Sequence, residues 1–93
     1  MLILLAALLG PPAVGAAQHV MVGVLAHRGV DTAIAMWTPT VDYLSEQIPG
    51  REFHLLPLDL SGMSAALQHG ELDFILTNPG NYVELEAGHG ITR

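Results

Sequence analysis

The sequence predicts an α/β chain in which a parallel sheet is flanked by helices, in the order β-α-β-α-β-α. Three observations carry that prediction: short apolar runs, stretches of helical apolar spacing between them, and Gly or Pro stops where one gives way to the next. Strands buried on both faces of a parallel sheet read as near-continuous apolar runs, and helical crossovers between them imply right-handed connections with helices on both faces.

The first strand is expected over residues 19–26 (HVMVGVLA), an apolar and β-branched run ended by His27-Arg28-Gly29. From Asp31 the pattern turns helical. Asp31 is a candidate cap for a first turn through Met36, and Thr38-Pro39 has the form of an N-cap followed by Pro at the first helical position. Trp37, Val41, Leu44 and Ile48 then recur at helical spacing, with Asp42, Glu46 and Gln47 on the wet side, until Pro49-Gly50 stops the helix. Residues 52–58 (EFHLLPL) read as a second strand, with Pro57 near its end, where a missing donor does least harm. Ser61 is placed to cap a short helix that turns Met63, Ala66 and Leu67 inward and stops at Gly70. A third strand is expected over residues 72–77 (LDFILT), then a turn at Asn78-Pro79-Gly80 and a helix over 81–87 closed by Gly88 and Gly90. Residues 91–93 read as the beginning of a further strand.

The 93 residues make at most one small domain. Residues 1–17 are expected to stand apart from it as a signal peptide or N-terminal apolar leader. Their apolar run is too short to span a bilayer, is broken by Gly10-Pro11-Pro12, and leads into the small residues that signal peptidase accepts. No Lys or Arg precedes the run. Residues 18–93 then make up the domain itself.

Composition excludes several function classes. There is no Lys, the three Arg are scattered at 28, 51 and 93, and the formal charge is −6, so no cationic cluster exists to neutralise a phosphate backbone. A nucleic-acid partner is not expected. The absence of Cys rules out disulfides, thiolate zinc sites and Cys nucleophiles. No Gly-x-Ser-x-Gly elbow, phosphate loop or Gly-x-Gly-x-x-Gly follows any strand, and the histidines show no metal-ligand spacing along the chain. Neither a metal, a cofactor nor catalysis by this chain is expected.

In an open parallel sheet a ligand sits beyond the carboxyl ends of the strands. Three loops meet there: residues 26–29, 57–61 and 77–82. Thr77 and Asn78 offer side-chain hydrogen bonds, and the open N–H groups of the helix after Pro79 suit an anion or polar oxygen. Tyr82 adds a hydroxyl or a ring in the first turn. Turn and capping chemistry alone also accounts for these residue types, and a solvated loop accounts for Arg28.

The stretches Val22-Gly23-Val24-Leu25-Ala26-His27-Arg28-Gly29, Trp37-Thr38-Pro39-Thr40, Ile48-Pro49-Gly50, Leu56-Pro57-Leu58 and Gly70-Glu71-Leu72-Asp73-Phe74-Ile75-Leu76-Thr77-Asn78-Pro79 occur in that order, followed by Tyr82-Val83-Glu84-Leu85-Glu86. Together they resemble periplasmic substrate-binding domains of the phosphate/phosphonate type. The variant with Gly-Val-Leu-Ala-x-Arg-Gly and Thr-Asn-Pro-x-x-Tyr is more similar to the periplasmic sensor regions of bacterial histidine kinases than to the free binding proteins of ABC importers.

The resemblance covers about residues 20–93 and implies a type II periplasmic-binding-protein fold, two α/β lobes closing on a small solute, with residues 18–93 as the first part of lobe one. The matching ligand-facing positions are Arg28, Gly29, Thr77, Asn78 and Tyr82. The implied partners are a small anionic or polar solute, the second lobe of the same domain, and a kinase or an ABC permease downstream. The expected function is periplasmic sensing of a small solute, with an oxyanion favoured, as the input region of a two-component sensor kinase. The alternatives are an importer's binding protein and, from a different class, a small exported hydrolase using His27 or His54 with Asp59.

Overall fold

The computed structural model describes residues 17–93, so the leader expected over residues 1–17 lies, apart from Ala17, outside the described residues. The elements are β1 (Gln18–Leu25), α1 (Val30–Gln47), β2 (Arg51–Leu58), α2 (Leu60–Gln68), β3 (Phe74–Leu76) and α3 (Pro79–His89). The sheet runs in the order β2-β1-β3, and both pairings are parallel. Gln18 stands beside Arg51 and Leu25 beside Leu58, while Val22 meets Phe74 on the other side. The strand-helix alternation read from the apolar runs is the observed order.

β1 is central, and both of its faces are covered. Val20, Val22 and Val24 on one face and Leu25 on the other are all buried. Leu25 packs with Met63 of α2 and Leu85 of α3, and Leu58, Leu67, Leu72, Ile75 and Ile91 close around them. Met63 is 0% exposed and is the centre of this cluster. Val24, on the opposite face, lines a cavity with Met36 and Trp37 of α1. Gly23 makes the Leu25 face work, because a Cβ there would come within 2.7 Å of the Leu72 side chain.

α1 departs from the sequence reading. It is one helix through Pro39, begun at Gly29 with no side-chain cap, so neither Asp31 nor Thr38 starts a helix. Pro39 takes away the N–H that Ala35 would have received and costs about 3 kcal/mol. Ala33, Trp37 and Val41, four residues apart, nevertheless form one inward stripe, with Ala33 and Val41 buried. Packing the whole stripe outweighs one interrupted turn.

The cap of α2 also differs. The Asp59 carboxylate accepts from the Gly62 N–H at 2.7 Å, and the Ser61 hydroxyl donates to the same oxygen at 3.2 Å. Asp59 is the extended residue just before the first turn, whereas Ser61 already lies inside the helix, so Asp59 is the capping residue. Residues 72 and 73 precede β3 rather than belonging to it, but Asp73 fastens the strand's start. Its N–H donates to the Met21 carbonyl at 2.9 Å, and its carboxylate accepts from the Met21 N–H at 2.7 Å. α3 starts at Pro79, not after it, and Gly90 closes it in the left-handed conformation. His89 is the last residue of α3, and its ring meets the Ser64 hydroxyl at 2.8 Å. Residues 91–93 form no strand, and Ile91 packs against the core instead.

β2 lies at one border of the sheet. The carbonyls of Gly50 and Leu58 accept from β1 and the residue after it, so the odd-numbered backbone groups of β2 face outward. There the Phe53 N–H donates to the Ser45 hydroxyl at 2.9 Å, and the Arg51 N–H donates to the Ile48 carbonyl at 3.3 Å. Among the described residues no helix is long and apolar enough to cross a membrane.

Candidate functional site

The candidate site is the rim where β1, β2 and β3 end. The parallel register brings the tips of all three strands to one side, as a ligand crevice in this class of sheet requires. After β1, Gly29 adopts φ 103°, a conformation other residues rarely take, which turns the chain directly into α1. Arg28 and Gly29 line a small cavity of about 50 Å³ with His27, Met36 and Trp37. Beside it, Thr77 and Asn78 line a cavity of about 250 Å³ with Val24, Leu76 and the same His27, Met36 and Trp37. The tip of β2 joins through Asp59, Leu60 and Ser61, which border a further hollow with Leu25, Ala26 and His27.

The turn after β3 is held by a small hydrogen-bond network. The Thr77 hydroxyl donates to Asn81 Oδ1 at 2.6 Å. Asn78 Oδ1 accepts from the Asn81 N–H at 2.8 Å, which makes Asn78 the N-cap of α3. Asn81 is 6% exposed and ties the two together. A helix leaves its first N–H groups without intrahelical partners. Pro79 has none, the Asn78 side chain takes that of Asn81, and that of Gly80 stays open, while the Tyr82 N–H makes the first helical bond to the Asn78 carbonyl at 2.9 Å. The Thr77 oxygen can still accept, and the Asn78 amide can still donate twice. Each has a fixed position and free capacity.

Tyr82 points elsewhere. Its hydroxyl donates to Glu86 Oε2 at 2.8 Å along α3. That hydrogen bond holds the phenol above its ordinary range, with partial burial and the negative charge of Glu86 adding to it, while Arg93 pulls the other way. Tyr82 lines a different hollow, of about 640 Å³, with Thr77, Asn78, Glu86 and Arg93. Thr77 and Asn78 therefore belong to the hollows of about 250 and 640 Å³, Arg28 and Gly29 to the neighbouring one of about 50 Å³, and Tyr82 to that of about 640 Å³.

Two residues of this rim carry no signal in linear spacing. Trp37 reads as one member of a core stripe, yet it lines both cavities beside the β1 tip because α1 begins at Val30. Asn81 reads as an ordinary helical residue, and its burial follows only from the fold. Of the hydrolase candidates, His54 lies five residues before Asp59 on the extended β2, about 16 Å away by strand rise. His27 and Asp59 border one hollow, where the Asp59 carboxylate is engaged as the cap of α2.

The chain was compared with known proteins. It is 41% identical over 66 residues to the tetrathionate sensor histidine kinase of Salmonella typhimurium, an alignment that takes in 71% of this chain and 11% of that protein. The chain thus spans about a tenth of the curated relative that it matches. No solved structure matches it. A family model described as the periplasmic substrate-binding protein of phosphonate ABC transporters matches residues 22–92, a span that runs from the buried valines of β1, through the Thr77-Asn78 turn, to the end of α3. With its parallel α/β order and a rim at the strand tips, the chain belongs to that phosphonate-type family of periplasmic substrate-binding domains.

Proposed function

We propose that the chain is the first part of lobe one of an exported solute-binding domain, and that this domain is the input region of a two-component sensor histidine kinase. Its ligand is a small oxyanion, of the class represented by tetrathionate, which the relative's name carries. The observation that bears the proposal is the Thr77-Asn78-Asn81 network, which fixes two polar side chains at the mouth of a cavity shared with His27 and Trp37. In the bound state Thr77, Asn78, Arg28 and the Gly29 turn contact the solute directly. Tyr82 borders it from the larger hollow.

A cavity of about 250 Å³ is below the roughly 300–1,000 Å³ of ordinary ligand pockets, which fits a rim that is one wall of a two-walled site. A solute that touches both walls only in the closed arrangement shifts the population toward closure, and that shift is the signal. The domain binds and does not turn over its ligand. Its location is the periplasm.

Calorimetry on the full-length protein with tetrathionate, thiosulfate, phosphate and methylphosphonate tests this reading. Thr77→Ala and Tyr82→Ala weaken the bound oxyanion while leaving the fold intact. Unchanged affinity in both variants removes these residues from the site, and no affinity for any oxyanion in the parent removes the ligand class. The second reading, an importer's binding protein, rests on the family description. The coding sequence downstream of Arg93 separates the two: a transmembrane segment with a kinase core supports the sensor, and a second lobe followed by a stop supports the importer.

A further inference from the structure

At the opposite end of the sheet from the rim, three potential metal ligands converge. His19 stands beside Glu52 in the β1–β2 register, and Met21 stands beside His54. Side chains two residues apart on a strand share a face, and paired residues on neighbouring strands share it too. The backbone alone therefore puts His19, Glu52 and His54 on one face. The side chains complete the cluster: His19 Nδ1 lies 2.8 Å from His54 Nε2, and the Glu52 oxygens lie 3.5 Å from His54 Nε2 and 3.9 Å from His19 Nδ1. One ligand atom from each residue falls within 4.8 Å of the others.

We propose that His19, Glu52 and His54 form a binding site for a zinc-class divalent cation, with solvent in the fourth position. Ligand atoms about 2.0–2.1 Å from a tetrahedral Zn²⁺ lie about 3.3 Å from one another, and the three observed separations bracket that value. Closing the set needs His19 to part from His54 by about half an ångström and to approach Glu52 by about as much, which the exposed His19 and Glu52 side chains permit. Two imidazoles and one carboxylate suit Zn²⁺, Cu²⁺ or Ni²⁺, whereas Mg²⁺ and Ca²⁺ demand oxygen ligands. In the ion-free state one imidazole N–H donates to the other ring nitrogen. On binding, the ring that donated carries its proton on the other nitrogen, and both facing lone pairs turn to the metal. The bound ion ties the first turn of the β1–β2 ladder together across two strands. This site shares no residue with the solute rim, and its fate is independent of that reading.

The test is zinc calorimetry on the untagged full chain after chelator treatment. One Zn²⁺ binds per chain. His19→Gln and His54→Gln each weaken it by at least about tenfold, since even outer residues of a metal site are worth 10–100-fold. Glu52→Gln weakens it less. His69→Gln, which removes a comparable exposed His beside a carboxylate, leaves it unchanged. Zn²⁺ raises the melting temperature of the parent but not of the two His variants, and excess Mg²⁺ does not compete. Absence of zinc binding by the parent overturns the site, as does parental affinity in His54→Gln or an equal loss in His69→Gln.

Discussion

At the C-terminal rim of the sheet the polar side chains are fastened to the first turn of α3, through a backbone N–H and a buried side chain, while at the opposite end three polar side chains contact one another across two strands. Thr77 and Asn78 are held through the buried Asn81 and the start of α3. His19 and Glu52 lie on an exposed strand end, and His54 is half-buried beside them. The rim therefore keeps its shape with no ligand present, which lowers the ordering cost of binding. The triad has no such scaffold beyond strand register, so it depends on a proton or an ion to define its geometry. Two ends of the same three strands show two ways of holding polar groups: by capping a helix, and by register.

The broadest way to break this contrast is to remove the support of the sheet. Met63→Ala empties the centre of the core cluster and should lower stability by about 2–5 kcal/mol, read as a shift in the urea midpoint of the full chain. Loss of structure at both ends in one transition is expected. A narrower cut is Asn81→Leu, which keeps the bulk of the buried residue but deprives the Thr77 hydroxyl of its acceptor. It should cost about 1–3 kcal/mol and weaken oxyanion binding, with zinc affinity at the triad unchanged when both are measured by calorimetry. Asn78→Ala removes the cap of α3 and should cost about 1 kcal/mol, seen as loss of helical signal on melting. The smallest effect belongs to Glu86→Gln, which should return the Tyr82 phenol toward its ordinary range in an ultraviolet titration. The sign follows from the raised value: the contact favours the folded state below the ordinary phenol range of about 10 and is lost as pH rises through the shifted value.

Much of the fold was legible because its strands are apolar runs and its helices are punctuated by Gly and Pro. The order of elements and the parallel sheet follow from that pattern, as does the placement of residues 26–29 and 77–78 at one rim. α1 was less legible, since local chemistry reads Thr38-Pro39 as a beginning, whereas the packed stripe of Ala33, Trp37 and Val41 carries the helix through. At α2, Asp59 and Ser61 are both capping residue types two positions apart, and only the hydrogen bond to Gly62 chooses between them. Tyr82 matches the ligand-facing motif, but Glu86 one turn later captures its hydroxyl. The His19-Glu52-His54 cluster has no linear signature at all, because His19 pairs with a residue 33 positions later and register alone unites them.

The sealed border of β2 bears on how the sheet can grow. Of its outward positions 51, 53, 55 and 57, the first two give their N–H groups to α1 and the turn after it, and Pro57 has none to give. A strand seeking to template itself there, whether from a neighbouring molecule or from an aggregate, meets outward carbonyls but a single open N–H, that of Leu55, too few donors for a continuous ladder. β3 has no such protection beside its 62%-exposed Phe74, so extension of the sheet, productive or amyloid-like, is directed to that side.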